Sequence, residues 1–226
     1  KRRPAQVCGR LATYGNLSEL CVCYSIRTRE IIYFLDTLHC FRYNGCMSRK
    51  ELQRLVSGFK RFREKYFDSE DSPYRQLATS QSPKTLIIGC SDSRVDPALI
   101  TSSGPGDLFV VRNVANLVPP YETGGVHHGV SAAIEFAVAV LKVENVIVMG
   151  HRQCGGIRAL VSGIHTDSDS FVDRWVAIAR PAHFRVLAAN PLADMDTLCQ
   201  QCEREAIKIS LANLRSFPFV RTAEKD

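Results

Sequence analysis

The residues in this chain best suited to chemistry are two cysteines and a histidine. Cys90 opens the run Cys90-Ser91-Asp92-Ser93-Arg94, and His151-Arg152-Gln153-Cys154 follows about sixty residues later. Two thiolates and one imidazole are ligands that zinc prefers, and three protein ligands rather than four leave one coordination position open. Asp92 and Arg94 stand two and four residues past the first thiolate, near enough to act on a water held there. That set belongs to metal-assisted hydration or hydrolysis rather than to a closed structural zinc clamp.

The spacing His-x-x-Cys lets both side chains converge on one ion from a tight turn that opens a helix. Gly155-Gly156 comes next, and with no side chains there, backbone N–H groups can approach a small anion. Asp92 has two incompatible roles. It can accept a hydrogen bond from the zinc-held hydroxide while Arg94 keeps it ionised. Alternatively, it can itself bind zinc as a fourth ligand and close the site.

For these residues to meet, the chain must bring positions 90 and 151 together. Thr85–Cys90 and Asp107–Arg112 are short apolar runs rich in β-formers, as buried parallel strands are, and Asn145–Gly150 is a third. Gly125–Leu141 reads as a helix with Ala132, Ala133, Phe136, Ala137 and Val140 along a buried stripe. Strands alternating with helices predict an α/β fold with a mostly parallel sheet flanked by helices. Cys90 then ends one strand and His151 follows another, at the carboxyl ends where open α/β sheets collect ligands.

Further along, Phe171, Trp175, Ile178 and Ala179 share a helical face before Pro181 interrupts it, and Cys199–Leu214 forms another helical pattern. Upstream, Leu52, Leu55, Val56, Phe59 and Phe62 recur at helical spacing behind Ser48 and Glu51, which have the form of a capping box. Residues 1–46 differ from the rest: they hold five of the nine cysteines and lack sustained periodicity. Two domains are expected, a dispensable or disordered extension over 1–46 and a catalytic domain over 47–226. The rival reading of 1–46 is an organelle-targeting segment, being Arg-rich and poor in acid.

Charge narrows the partners. The net charge is +6, but residues 47–226 carry 22 basic and 20 acidic side chains, so the body is close to neutral and a nucleic-acid surface is not expected. No apolar run approaches the roughly 18 residues of a membrane span. An odd number of cysteines without a clear secretory signal argues for a reducing compartment and metal-binding thiols. The expected location is cytoplasmic, or organellar if residues 1–46 are a targeting segment. His127-His128 reads as a surface pair at a helix start. Cys199-x-x-Cys202 reads as a packed helix face rather than half a zinc knuckle, and His165 and His183 receive no role.

Cys90-Ser-Asp-Ser-Arg94 with His151-x-x-Cys154-Gly-Gly156 resembles the zinc signature of the β-class carbonic anhydrases. The resemblance runs from about Met47 to Val220 and includes Gln81-Ser-Pro83 and Phe109-Val-Val-Arg-Asn-Val-Ala-Asn116. It implies reversible hydration of CO2 to bicarbonate and a proton by zinc-hydroxide attack. It implies one Zn2+ per subunit on Cys90, His151 and Cys154, with Asp92 and Arg94 as a catalytic dyad. It also implies that Gln81 hydrogen-bonds bicarbonate, and that Phe109, Val114 and Phe136 form an apolar pocket wall drawn partly from a partner subunit. A homodimer or tetramer follows, with the N-terminal helix embracing the neighbour.

The chain departs from the family pattern in three places. The closing C-terminal strand after Phe217-Pro-Phe219 has no counterpart in residues up to 226. Ile87 stands where an allosteric subgroup carries Trp, and residues 1–46 match nothing in the family. Two other readings remain at this level: a CS2 or COS hydrolase on the same scaffold, and a zinc-binding but inactive homologue.

Overall fold

The computed structural model describes residues 22–24, 31–33, 49–66, 72–124, 128–163 and 170–225. These fall into two units, residues 1–80 and 81–226. In the first, β1 (Val22–Tyr24) and β2 (Ile31–Tyr33) form a short antiparallel ladder. The expected amphipathic helix is α1 (Arg49–Tyr66). Ser48, the expected cap, lies outside the described residues. Phe62 and Tyr66 of α1 pack edge-on against Tyr74 of α2 (Pro73–Gln76), with ring centroids 5.3 and 5.7 Å apart.

The second unit is the predicted α/β body. Its three strands are β3 (Thr85–Cys90), β4 (Leu108–Asn113) and β5 (Asn145–Met149), all parallel, in the order β4-β3-β5. β3 lies centrally and its residues 86–90 are all buried, which is why it reads as an unbroken apolar run. Gly89 pairs with Met149 and with Arg112, so the strands end level with one another. This register brings Cys90 and His151 to one end of the sheet. Because β4 and β5 flank β3 on opposite sides, a crevice opens at its carboxyl end.

Helices α3 (Pro97–Thr101), α4 (Gly129–Glu135), α5 (Gly155–Ser162), α6 (Phe171–Val176), α7 (Arg180–Ala189), α8 (Met195–Leu214) and α9 (Pro218–Ala223) complete the unit. α4 continues as a π-helical turn, Phe136–Val140, in which Leu141 N–H donates to Phe136 O. That turn corrects the expected stripe. Ile134, Ala137 and Val138 are the buried residues, whereas Phe136 and Val140 are 43% and 61% exposed. The wider turn shifts the helix phase, and a run of Ala and Val that is apolar all round does not specify its own face.

Two clusters form the core. One packs Leu86 and Ile88 of β3 with Ile134, Ala137, Leu214, Phe217 and Val220. The other surrounds the two site cysteines with Ala115, Ile157, Val161, Leu198, Cys199, Cys202 and Ala206. α8 reaches both. Its Ser210 Oγ accepts from Val118 N–H at 3.2 Å, and Asn213 Nδ2 donates to Val118 O at 2.8 Å, pinning the segment that leaves β4. Pro181 marks a break as expected, because it occupies the first turn of α7, where a missing N–H costs nothing. Among the described residues no helix is long and apolar enough to cross a membrane.

Candidate metal centre

Cys90, His151 and Cys154 place one ligand atom each within 4.8 Å of one another. The sulfurs are 4.0 Å apart. Two thiolates on one tetrahedral zinc, each with a Zn–S bond of about 2.3 Å, would stand roughly 3.8 Å apart, so little movement is needed. His151 Nδ1 is 2.9 Å from Arg152 O and is its natural donor. The lone pair then falls on Nε2, which is buried and has no hydrogen-bond partner. A buried bare nitrogen facing two sulfurs costs stability unless a cation fills the position. The residues present therefore fit zinc.

The backbone stabilises negative sulfur. Cys90 Sγ accepts from Asp92 N–H at 3.5 Å. Cys154 stands at the N-cap of α5, where the Gly156 and Ile157 N–H groups favour its thiolate. The two sulfurs contact one another, and that contact pulls the Cys90 thiol down and, with burial, pushes the Cys154 thiol up. A divalent cation would draw both to the thiolate form. Gln153, in the turn before Cys154, has φ +55°, as do few non-glycine residues, and its carbonyl is thereby fixed to accept from Arg94 Nη2 at 3.0 Å.

Asp92 is held by Arg94 in three ways. Arg94 Nε and Nη2 donate to Oδ1 and Oδ2 at 2.9 and 2.7 Å, and Arg94 N–H donates to Oδ1 at 3.0 Å. These hydrogen bonds hold the Asp92 carboxyl well below the usual carboxylate range. Asp92 is not in the three-residue ligand cluster found among the described residues, so here it faces Arg94 rather than completing a four-ligand shell.

The two glycines differ. A side chain at Gly155 would meet nothing within 4 Å, whereas a Cβ at Gly156 would lie 2.7 Å from Val114 Cγ1 and 3.0 Å from Ala115 Cβ. Gly156 is thus where α5 closes onto the end of β4.

A family model described as carbonic anhydrase matches residues 85–226. The chain is 40% identical over 173 residues to Beta carbonic anhydrase 3 of Arabidopsis thaliana, covering 75% of this chain and 67% of that protein. The chain belongs to the β-carbonic anhydrase family. It is also 42% identical over 179 residues to Beta carbonic anhydrase 6, mitochondrial, of the same plant, covering 77% of this chain and 60% of the relative's length. Among solved structures, the β-carbonic anhydrase CcaA superposes with a TM-score of 0.70 at 36% identity, covering 76% of this chain and 77% of that one. A tetrameric β-carbonic anhydrase of Sordaria macrospora superposes at 0.67 and 27% identity, covering 79% and 87%.

Against the family's pocket, the remaining expected residues divide. Val114 adjoins the centre through Gly156 and is 39% exposed. Gln81 is an exposed residue before β3, at the strand's opposite end from Cys90. Phe109 pairs with Leu86, four residues before Cys90 and so about 13 Å back along the strand. Phe136 packs on Phe109 with ring centroids 5.9 Å apart. This chain therefore does not bring Phe109, or Phe136 packed on it, to its own Cys90. His128 Nε2 bonds Gly124 O at 2.7 Å, and His183 stacks on Phe184; His127 and His165 lie outside the described residues. Cys199 and Cys202 are buried free thiols, in keeping with a packed face.

Three residues support the site in ways the sequence alone did not assign, although Trp175 and Arg112 stood in an expected helix and strand. Glu203 of α8 is 8% exposed and accepts the Cys154 N–H at 2.9 Å. Trp175 Nε1 donates to Val114 O at 2.7 Å. Arg112 donates to the carbonyls of Cys90 and Asp92. A buried Glu within an apolar helical face was a readable signal for the first. The others act through backbone carbonyls, which residue spacing does not reveal.

Proposed function

We propose that this protein catalyses the zinc-dependent reversible hydration of CO2 to bicarbonate and a proton. The observation that carries the reading is the orphaned Nε2 of His151, facing two thiol sulfurs beside a carboxylate gripped on both oxygens by Arg94. Zinc at such a centre lowers the pKa of water towards neutrality and so supplies a nucleophile at physiological pH.

The chain's own residues do the rest. Asp92 stays ionised at neutral pH, so it acts as an acceptor that orients the nucleophile's proton rather than as an acid. Arg94 fixes the carboxylate and ties it through Gln153 O to the His-x-x-Cys turn, coupling the two halves of the site. The exposed face of Val114 offers CO2 an apolar contact. Gln81, Phe109 and Phe136 act in a neighbouring subunit's pocket, with Gln81 bonding bicarbonate, and the working form is a dimer or tetramer. Reduced thiols are required, so the protein works in a reducing compartment: the cytoplasm, or the organelle to which residues 1–46 would direct it.

Zinc analysis paired with stopped-flow CO2 hydration at pH 8.5 tests the proposal. One zinc per chain with hydration well above the buffer rate is expected. Stoichiometric zinc without hydration would overturn the activity and leave the metal site standing.

A further inference from the structure

The loop that carries the dyad is held partly from outside, by Arg112 of β4. Between Cys90 and Asp96 its backbone makes one ladder-like bond, Ser91 N–H to Asn113 O at 2.9 Å, and one internal turn, Val95 N–H to Asp92 O at 3.2 Å. The Asp92 and Arg94 N–H groups bond Cys90 Sγ and Asp92 Oδ1, and Arg94 reaches Gln153 O, but the carbonyls of Cys90 and Asp92 are both held by one side chain on the neighbouring strand. Arg112 reaches across the end of β3, and its Nε donates to Cys90 O at 2.9 Å and its Nη2 to Asp92 O at 2.7 Å. Its Nη1 donates to Asp96 Oδ2 at 2.9 Å, while Asp96 Oδ1 caps α3 through the Ala98 and Leu99 N–H groups. One guanidinium thus spans a metal ligand, the dyad carboxylate's own residue and the helix start that ends the loop.

Asp92 is chemically able to take two positions. Its N–H already contacts Cys90 Sγ, and a carboxylate so close to a cation could serve as a ligand. Turning it there means releasing Arg94 and rotating about a backbone whose carbonyl Arg112 holds.

We propose that Arg112 is a positioning residue for the dyad. By clamping Cys90 O, Asp92 O and Asp96 together, it keeps Asp92 turned to Arg94 and off the metal position. The planar fork of three donors is what the geometry uses, so lysine is a poor substitute. The inference rests on the metal reading above, but its test does not depend on CO2 hydration.

The experiment loads the full chain with cobalt(II) in place of zinc and titrates azide, following the visible absorption of the metal. In the wild type azide enters the open position. With Arg112→Ala, cobalt still binds one per chain, but azide binds at least ~10-fold more weakly, the size typical of losing a group that orients ligands. Arg112→Ala combined with Asp92→Ala restores azide binding to that of Asp92→Ala alone, because no carboxylate is left to compete. A purely structural role for Arg112 would not be rescued by removing Asp92.

Azide affinity in Arg112→Ala within twofold of wild type, or a double variant as weak as the single, would overturn the proposal. If Arg112→Ala takes up no cobalt, Arg112→Lys and Asp96→Asn carry the same readout, and unweakened azide binding in both overturns it. Wild-type protein that binds no cobalt would overturn the metal reading itself.

Discussion

His151 has two ring nitrogens, and one of them, Nδ1, lies 2.9 Å from the Arg152 carbonyl. Because Nδ1 is committed to Arg152 O, Nε2 is left as the metal-facing lone pair, and the tautomer is set before any ion arrives. Asp92 is fixed as firmly by Arg94, and its ionisation follows from those hydrogen bonds. With a carboxyl held below its unfolded value of about 3.9, the pair's stabilisation is fully present above that pH and is lost only as the pH falls further, towards the folded value. Asp92 should therefore add no acidic limb to the rate between about pH 5 and 9. Asp92→Asn keeps the shape and loses the charge: zinc content should stay at one per chain while kcat/KM falls by roughly 100-fold or more, read by metal analysis and stopped-flow hydration. Gly156→Ala tests the close approach of α5. Its Cβ would press on Val114 and Ala115, neither of which has a flexible end to swing away. A loss of about 1–3 kcal/mol is expected in urea unfolding, together with faster zinc release to a chelator.

At the scale of elements, the strands were legible because each is a continuous apolar run ended by Gly or a polar residue. β3 matches its expected bounds and β4 lies one residue later. The clustering of Cys90, His151 and Cys154 was legible for the same reason, since strand ends locate Cys90 and His151. α4 was not fully legible, because an apolar run of small residues carries no phase and the π-turn resets it. α8 begins at Met195 rather than near Cys199, capped by Asp194 Oδ1 accepting from Thr197 N–H at 2.8 Å, a signal lost in the polar stretch before it. Glu203 belongs to this helix and supports the site from behind. Glu203→Leu would strand the buried Cys154 N–H and should cost about 1–3 kcal/mol, with faster zinc release, whereas Glu203→Gln keeps an acceptor and should cost much less. Urea unfolding and a chelator assay on both variants separate the two. The neighbouring Cys202 makes α8 sensitive to alkali. Burial pushes its thiol up to about 12. Below the unfolded thiol's ~8.5 it is neutral in both states and its contribution is intact. As pH rises from there towards 12, the unfolded chain ionises first and stability falls. Cys202→Ala should flatten the decline in urea midpoint between pH 8.5 and 10.5, and an unchanged slope would count against this account.

Taken as a whole, the molecule separates its metal centre from part of the pocket wall expected to serve it. The Cys90, His151 and Cys154 cluster sits at the carboxyl end of β3, while Phe109 is about 13 Å back along the sheet with Phe136 packed against it, and Gln81 precedes the strand altogether. No side-chain rotation covers that distance, so Phe109 does not reach this chain's own ligands. Two-fold assembly would satisfy this, because it gives each pocket one chain's metal and the other chain's wall. Complementation provides the test. Cys154→Ser removes a ligand and keeps the wall; Phe136→Ala combined with Gln81→Ala removes the wall and keeps the ligands. Each variant alone should show little hydration. Unfolded together and refolded as an equal mixture, half the dimers would be mixed and each would hold one intact pocket, so activity should recover to about one quarter of the wild type at equal chain concentration. Cross-linking should show dimers in all three samples. Activity in the mixture no greater than the average of the two variants would mean that each chain builds its pocket alone, and would remove Gln81 and Phe136 from the site.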